Sequence, residues 1–181
     1  FIGRATYAFN GKYLAEASMR YDGSSRFVEK SRWGLFPSFS LGWRIIEEDF
    51  LKNSSVLSDL KIRGSWGQVG NQNVGNYPFA STLGTSTYYF NGQAQRTVFY
   101  SGAPNPELTW ETKTATNIGI DGSLFGRLLG FTIDVFKERT TDILLTVPLP
   151  TTYGLTAPVQ NTGIVDNRGW ELQLTHQNSI G

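Results

Sequence analysis

Cysteine is absent from this 181-residue chain, so it can form no disulfide and offers no thiolate to a metal or as a nucleophile. Histidine occurs once, at His176, with no second histidine or cysteine to complete a metal site and no nucleophile beside it. Its parity matches Trp170, Leu172 and Leu174, which points it outward near the end of a strand. No apolar run approaches the roughly 18 residues of a transmembrane helix, and the mean hydropathy is only −0.26. Helical membrane proteins are thereby excluded, but not barrels, whose alternating strands average to a mildly polar mean. Charge is also sparse: a net +1 with 17% charged residues lacks both the basic excess of a nucleic-acid surface and the charge density of disorder. The opening residues FIGRATYAF carry no charged, apolar and cleavage regions of a signal peptide, and nothing around Gly181 reads as a natural end. The expectation is a segment of a longer protein.

What is plentiful is aromatic residues, 14%, and glycine, 20 residues, a pairing common in β-rich chains with sharp turns and interfacial rings. The stretch from Phe36 to Asn71 sets the pattern. Phe39, Leu41, Trp43 and Ile45 alternate with Ser38, Ser40, Gly42 and Arg44, and later Leu60, Ile62, Gly64 and Trp66 alternate with Lys61, Arg63, Ser65 and Gly67. A period of two gives each strand one greasy face and one wet face. The same grammar recurs at Ile2 to Phe9, Tyr13 to Tyr21, Trp110 to Leu124, Leu129 to Val135 and Trp170 to Thr175, making about seven strands. Asn10-Gly11 is a hairpin signal and Phe125-Gly126-Arg127 a second tight turn.

The connections alternate in length: tight at Asn10, long from Asp22 to Arg32, moderate from Glu47 to Asp59, very long from Gly70 to Leu108, tight at Gly126, long from Arg139 to Arg168. Within the moderate one, EEDFL reads as one helical turn. In an up-and-down meander the short connections collect at one end of the strands and the long ones at the other, as in outer-membrane barrels. Tyr13, Tyr21, Trp43, Trp66, Trp110 and Trp170 near strand ends suit two interfacial aromatic girdles. Glycines such as Gly64, Gly67, Gly70 and Gly75 are not followed by Gly-Lys-Ser/Thr, so they read as bulges and turns rather than a phosphate cradle. No cofactor is expected.

Several blocks in one order, RYDGSSRF, FPSFSLGWRI with EEDFL, LKIRGSWGQVGNQNVGNYPF, NPELTWE, TNIGIDGSLFGRLLGFTIDVFKERTTDILL and QNTGIVDNRGWEL, resemble the barrel of SusC/RagA-type TonB-dependent outer-membrane transporters. The resemblance spans nearly the whole chain. It implies import of oligosaccharides, peptides or similar solutes across the outer membrane of a Gram-negative bacterium of the Bacteroidota. It further implies a SusD-like surface lipoprotein over the barrel mouth, energy from the TonB complex through a plug not included here, and no catalysis. The fold class expected is therefore all-β: about seven strands of an antiparallel, up-and-down transmembrane barrel of roughly 22 strands, residues 1–181 forming part of one barrel domain. Such a piece has two unpaired edges and needs neighbouring strands, because in lipid every backbone polar group must be satisfied within the protein. Two rivals are a small-barrel envelope enzyme and a soluble carbohydrate-binding or adhesin sheet.

By parity Arg20, Arg44, Lys61, Arg63, Asp121, Asp134 and Glu171 share the wet faces and would line a polar lumen, as ordinary solvated pairs or as contacts to a plug or solute. Their mixed sign argues against a ring selecting one charge. In the longest loop Tyr88, Tyr89, Phe90, Phe99 and Tyr100 would stack on solute, meet a partner lid, or pack on one another. Trp33 and Tyr153, in the other long loops, are weaker candidates of the same kind. No metal ligands are expected.

Overall fold

The structure, a computed structural model, describes residues 1–178. In chain order the strands are β1 (Ile2–Phe9), β2 (Tyr13–Gly23), β3 (Trp33–Arg44), β4 (Leu57–Asn71), β5 (Leu83–Phe90), β6 (Gln93–Tyr100), β7 (Glu111–Leu124), β8 (Leu129–Thr141), β9 (Leu144–Thr146), β10 (Val159–Asn161) and β11 (Val165–His176). Seven of them form one sheet in the order β1-β2-β3-β4-β7-β8-β11, every neighbour antiparallel. It is an up-and-down meander, as the alternation requires. Of the 3-10 turns, the one at Ile45–Glu47 stands where a helical turn was expected, shifted a little toward the N-terminus.

Turn chemistry fixes the register. Asn10 and Gly11 both take positive φ, 51° and 65°, the geometry that follows the right-handed twist of the flanking strands. The register then carries the alternation across the whole sheet. One row reads Tyr7, Ala15, Leu41, Gly64, Ile118, Val135, Trp170 from β1 to β11. The adjacent row on the other face reads Ala8, Leu14, Gly42, Arg63, Gly119, Asp134, Glu171. Nothing among the described residues covers the apolar face: Leu41, Ile118 and Trp170 are 67%, 60% and 71% exposed. A soluble sheet hides such a face, whereas here its large side chains on the strands stay open, and only Ile45, drawn off the row into the turn after β3, is buried.

The buried core lies instead among the long connections. Phe27, Phe36, Val74, Leu108 and Trp110 form one cluster, with Leu144 and Val159 packed against it. Phe36 reaches it from β3, where its ring covers Gly34 and Gly70; a Cβ at Gly70 would collide with it.

Four expectations are corrected. The stretch from Gly70 to Leu108 is not irregular throughout, because β5 and β6 form a separate hairpin in it, turned by Asn91 and Gly92 at φ 48° and 75°. The connection expected from Arg139 to Arg168 is shorter, since β8 runs on to Thr141 and β11 starts at Val165, with β9 and β10 paired between them. Trp110 is no girdle residue: it is 8% exposed, its ring 5.2 Å from Phe27 and 5.4 Å from Phe36. Segregation of connections by length is looser than expected, for the connection 45–56 at the tight-turn end is longer than 24–32 at the other.

Candidate functional site

On the polar face β4, β7 and β8 bring Arg63, Asp121 and Asp134 together. Arg63 donates from Nε to Asp121 Oδ2 at 3.0 Å and from Nη2 to Asp134 Oδ2 at 2.7 Å, and Nη1 reaches Asn117 Oδ1 at 3.4 Å. The reach to β8 crosses over β7 at Gly119, where an added Cβ would stand 2.6 Å from Arg63 Cζ and 2.7 Å from Asp134 Oδ1. Glycine here is a matter of space, not of backbone freedom. One cation thus ties three strands together and bridges two carboxylates, which leaves the cluster net negative, with Asp134 Oδ1 buried and without a hydrogen-bond partner among the described residues.

The other expected polar-face residues are placed as parity requires and do different things. Arg20 pairs with Asp22 at 2.8 Å, and Arg4 with Glu16 at 2.6 Å. Arg44 holds the tight-turn end, donating to Glu47 at 3.0 Å and to the Gly11 carbonyl at 3.4 Å. Lys61 lies opposite Asp121 in register and Glu171 opposite Asp134, with no ion pair of either among the described residues. Between β1 and β7 the face is concave, a hollow of about 500 Å³ lined by Thr6, Glu16, Ser40, Lys61, Arg63, Ser65 and Asn117. Such a hollow offers both charge signs and several hydroxyls to whatever fills it.

The aromatic candidates divide. Tyr88, Tyr89, Phe90, Phe99 and Tyr100 all stand on the β5–β6 hairpin, where the pairs Tyr88↔Gln95, Tyr89↔Ala94 and Gly84↔Phe99 set the two faces. Gly84, Tyr88, Phe90 and Phe99 share one face; Leu83, Tyr89, Val98 and Tyr100 share the other. Both faces are exposed, Tyr89 and Phe90 at 70% each, so the hairpin does not fold its rings inward. An isolated two-stranded hairpin is marginal in water, and one greasy on both faces has surface to bury elsewhere. Its base is tied: Ser101 N–H donates to the Thr82 carbonyl at 3.0 Å, and Thr156 Oγ1 donates to the Ser101 carbonyl at 3.0 Å. Tyr153, exposed, sits close in sequence to that second tie. Trp33 belongs elsewhere. It is the first residue of β3, not a loop residue, and stacks on Tyr21 at 5.0 Å and 8° in the outward row.

Sequence reasoning did not find the β5–β6 hairpin, Gly119 or the buried cluster. Asn91-Gly92 carried the same signal as Asn10-Gly11 and would have located the hairpin; nothing local marks Gly119, whose role exists only in register with Arg63.

At the tight-turn end Glu48 gathers three donors: Tyr13 Oη at 2.7 Å, Trp43 Nε1 at 3.1 Å and Lys12 Nζ at 3.1 Å. The hydrogen bond from Tyr13, then those from Trp43 and Lys12, hold the Glu48 carboxyl below its ordinary range, and the hydrogen bond to Glu48 raises Lys12. The latch fixes two outward aromatic side chains, Tyr13 and Trp43, whose rings stack at 6.4 Å. Among the described residues no group of three or more His, Asp or Glu side chains is placed to hold a metal ion.

Known proteins resemble the chain in sequence and in shape. A family model described as TonB dependent receptor-like, beta-barrel, matches residues 2–180. TonB-dependent receptor SusC of Bacteroides thetaiotaomicron is 39% identical over 180 residues, 96% of this chain and 18% of that protein. TonB-dependent receptor P39 of Formosa agariphila is 39% identical over 173 residues, 94% of this chain and 16% of that protein. Among solved structures, that of the RagAB peptide transporter superposes with a TM-score of 0.88 at 31% identity, covering 97% of this chain and 19% of the matched one. The chain therefore spans less than a fifth of the length of these relatives.

Proposed function

Because the chain belongs to the TonB-dependent receptor β-barrel family, we propose that it forms part of the wall and mouth of an outer-membrane importer of oligosaccharides, peptides or similar nutrients. The whole protein works with a SusD-like surface lipoprotein and takes its energy from TonB through a plug. One observation carries this reading: a continuous antiparallel sheet whose apolar face is left uncovered by the described residues and whose other face carries paired charges round a hollow. In this arrangement outer-membrane lipid lies against the row of Leu41, Ile118 and Trp170, and the row of Arg63, Asp134 and Glu171 faces the lumen. Arg20, Arg44, Lys61 and Asp121 line the same lumen, as wall rather than as a selective ring, since their signs are mixed. The long-loop end is the outer mouth, where Tyr88, Tyr89, Phe90, Phe99 and Tyr100 meet the lipoprotein lid or the solute, with Tyr153 near the base of their hairpin. No residue of the segment is assigned a catalytic role.

The test uses the full-length protein and its neighbouring lipoprotein in their own membrane. Residues 83–100 are replaced by Gly-Gly, a short bridge between Thr82 and Ser101, which are already hydrogen-bonded. The protein is expected to need detergent for extraction, to shift on a denaturing gel only after heating, and to lose at least tenfold of the co-purifying lipoprotein on deletion. Extraction without detergent would overturn the membrane reading; unchanged co-purification and uptake would overturn the role of the hairpin.

A further inference from the structure

The outward face changes character abruptly on β8 and β11. From the tight-turn end upward its residues on β8 are Leu129, Phe131, Ile133 and Val135, and on β11 His176 at the very end, then Leu174, Leu172 and Trp170. The next outward position on each strand is a cation: Lys137 on β8 lies directly opposite Arg168 on β11. One step further Arg139 lies opposite Asp166. Like charges directly opposed across a strand pair are unfavourable unless something of opposite sign lies over them. The chain supplies little. Asp166 approaches only Arg139, at 3.7 Å with both side chains half exposed, and Glu138 lies on the other face, bound to Lys113 at 2.9 Å. On the far side Lys137 faces Thr116, which is uncharged. Among the described residues neither Lys137 nor Arg168 has an ion pair.

Position selects the missing anion. The pair sits immediately above Val135 and Trp170, where the apolar band ends, at the end of the sheet that carries the long connections. An acyl chain lying along Val135, Ile133 and Leu172 brings its headgroup to the height of Lys137 and Arg168. A phosphate there accepts from a guanidinium fork and an ammonium at once. We propose that Lys137 and Arg168, flanked by Arg139, form a docking site on the lipid-facing wall for the phosphate of a phosphorylated outer-leaflet lipid. The inference rests on the membrane reading above, and adds to it a particular lipid chemistry at one place on the wall.

Full-length protein is incorporated into phosphatidylcholine nanodiscs with or without diphosphorylated lipid A, and bound lipid A is counted by native mass spectrometry after release. The Lys137→Gln, Arg168→Gln double variant is expected to retain about a tenth or less of the wild-type lipid A, while Lys113→Gln, on the opposite face and in register with Thr140 nearer the long connections, stays within twofold. Without any variant, wild-type binding is expected to fall several-fold between low and high salt. Equal lipid A on wild type and double variant, or binding indifferent to salt, would overturn the proposal. So would displacement of lipid A by millimolar inorganic phosphate, which would make this a site for the free ion. Failure of the protein to enter discs at all would instead overturn the membrane reading, and this inference with it.

Discussion

Gly119 shows how one missing side chain sets the polar face. Any Cβ there meets the Arg63 guanidinium and the Asp134 carboxylate together, so Gly119→Ala displaces Arg63 from Asp134 while leaving β7 able to pair. With Arg63 about one-third exposed, the expected loss is about 1–2 kcal/mol, below the 3–5 of a fully buried pair. In an Arg63→Ala background the same glycine change is expected to cost clearly less, because the guanidinium is gone and only the end of the Asp134 side chain is left to move aside. Thermal unfolding of the four full-length proteins in detergent decides it, and additive losses would refute the steric account.

Glu48 makes a second prediction at this scale, outside the membrane-spanning strands. Its carboxylate is held below the ordinary value of 4.5, chiefly by the Tyr13 hydroxyl. A depressed carboxyl contributes stability in full above that ordinary value and loses it as pH falls through the lower folded value. Lys12, raised from 10.5, behaves oppositely: its contribution is complete below that value and is lost as pH rises through the raised one. The indole N–H resonance of Trp43, assigned by Trp43→Phe and selective labelling, is therefore expected to titrate with a midpoint below 4.5. In Glu48→Gln it is expected not to move; a midpoint at or above 4.5 would contradict the latch.

At the scale of the strand, the two faces are distinct solvents separated by one residue. Leu41 and Ser40 are adjacent on β3, the first 67% exposed on the apolar row and the second beside Glu16 and Ser65 on the polar one. Leu41→Arg is expected to cost about 2–4 kcal/mol near the bilayer midplane and to lower the heat-modifiable fraction of full-length protein sharply. Ser40→Arg, facing water and Glu16, is expected to assemble like the wild type. Equal tolerance of both changes would mean that the apolar face touches no hydrocarbon. The β5–β6 hairpin obeys another rule: its period of two carries rings on both faces, so alternation alone gives no inside, and neither face is covered by the described residues.

For the molecule as a whole the decisive feature is its two free edges. Among the described residues β1 and β11 each pair on one side only, and unpaired strand edges are untenable in a bilayer. Residues 1–181 expressed alone and refolded into micelles are expected to give no species that resists denaturation before heating, whereas the full-length protein does. A stable monomeric band from the fragment would mean that the sheet closes on itself.

The sequence by itself determined the seven-stranded meander, its tight turns and which residues share a face, because a period of two and turn residues such as Asn10-Gly11 are local and survive without tertiary context. Lys61, Arg63, Asp121, Asp134 and Glu171 could be assigned to one face by parity for that reason. Only the tertiary structure decided which of them meet: Arg63 reaches Asp134 across Gly119 through a register spanning β4, β7 and β8. It likewise moved Trp110 from a girdle into a buried cluster and Trp33 from a loop onto Tyr21. The physical reason is the same in each case: alternation fixes the side of the ribbon on which a side chain lies, but contact across strands and between loops depends on segments distant in the chain, whose approach no local pattern encodes.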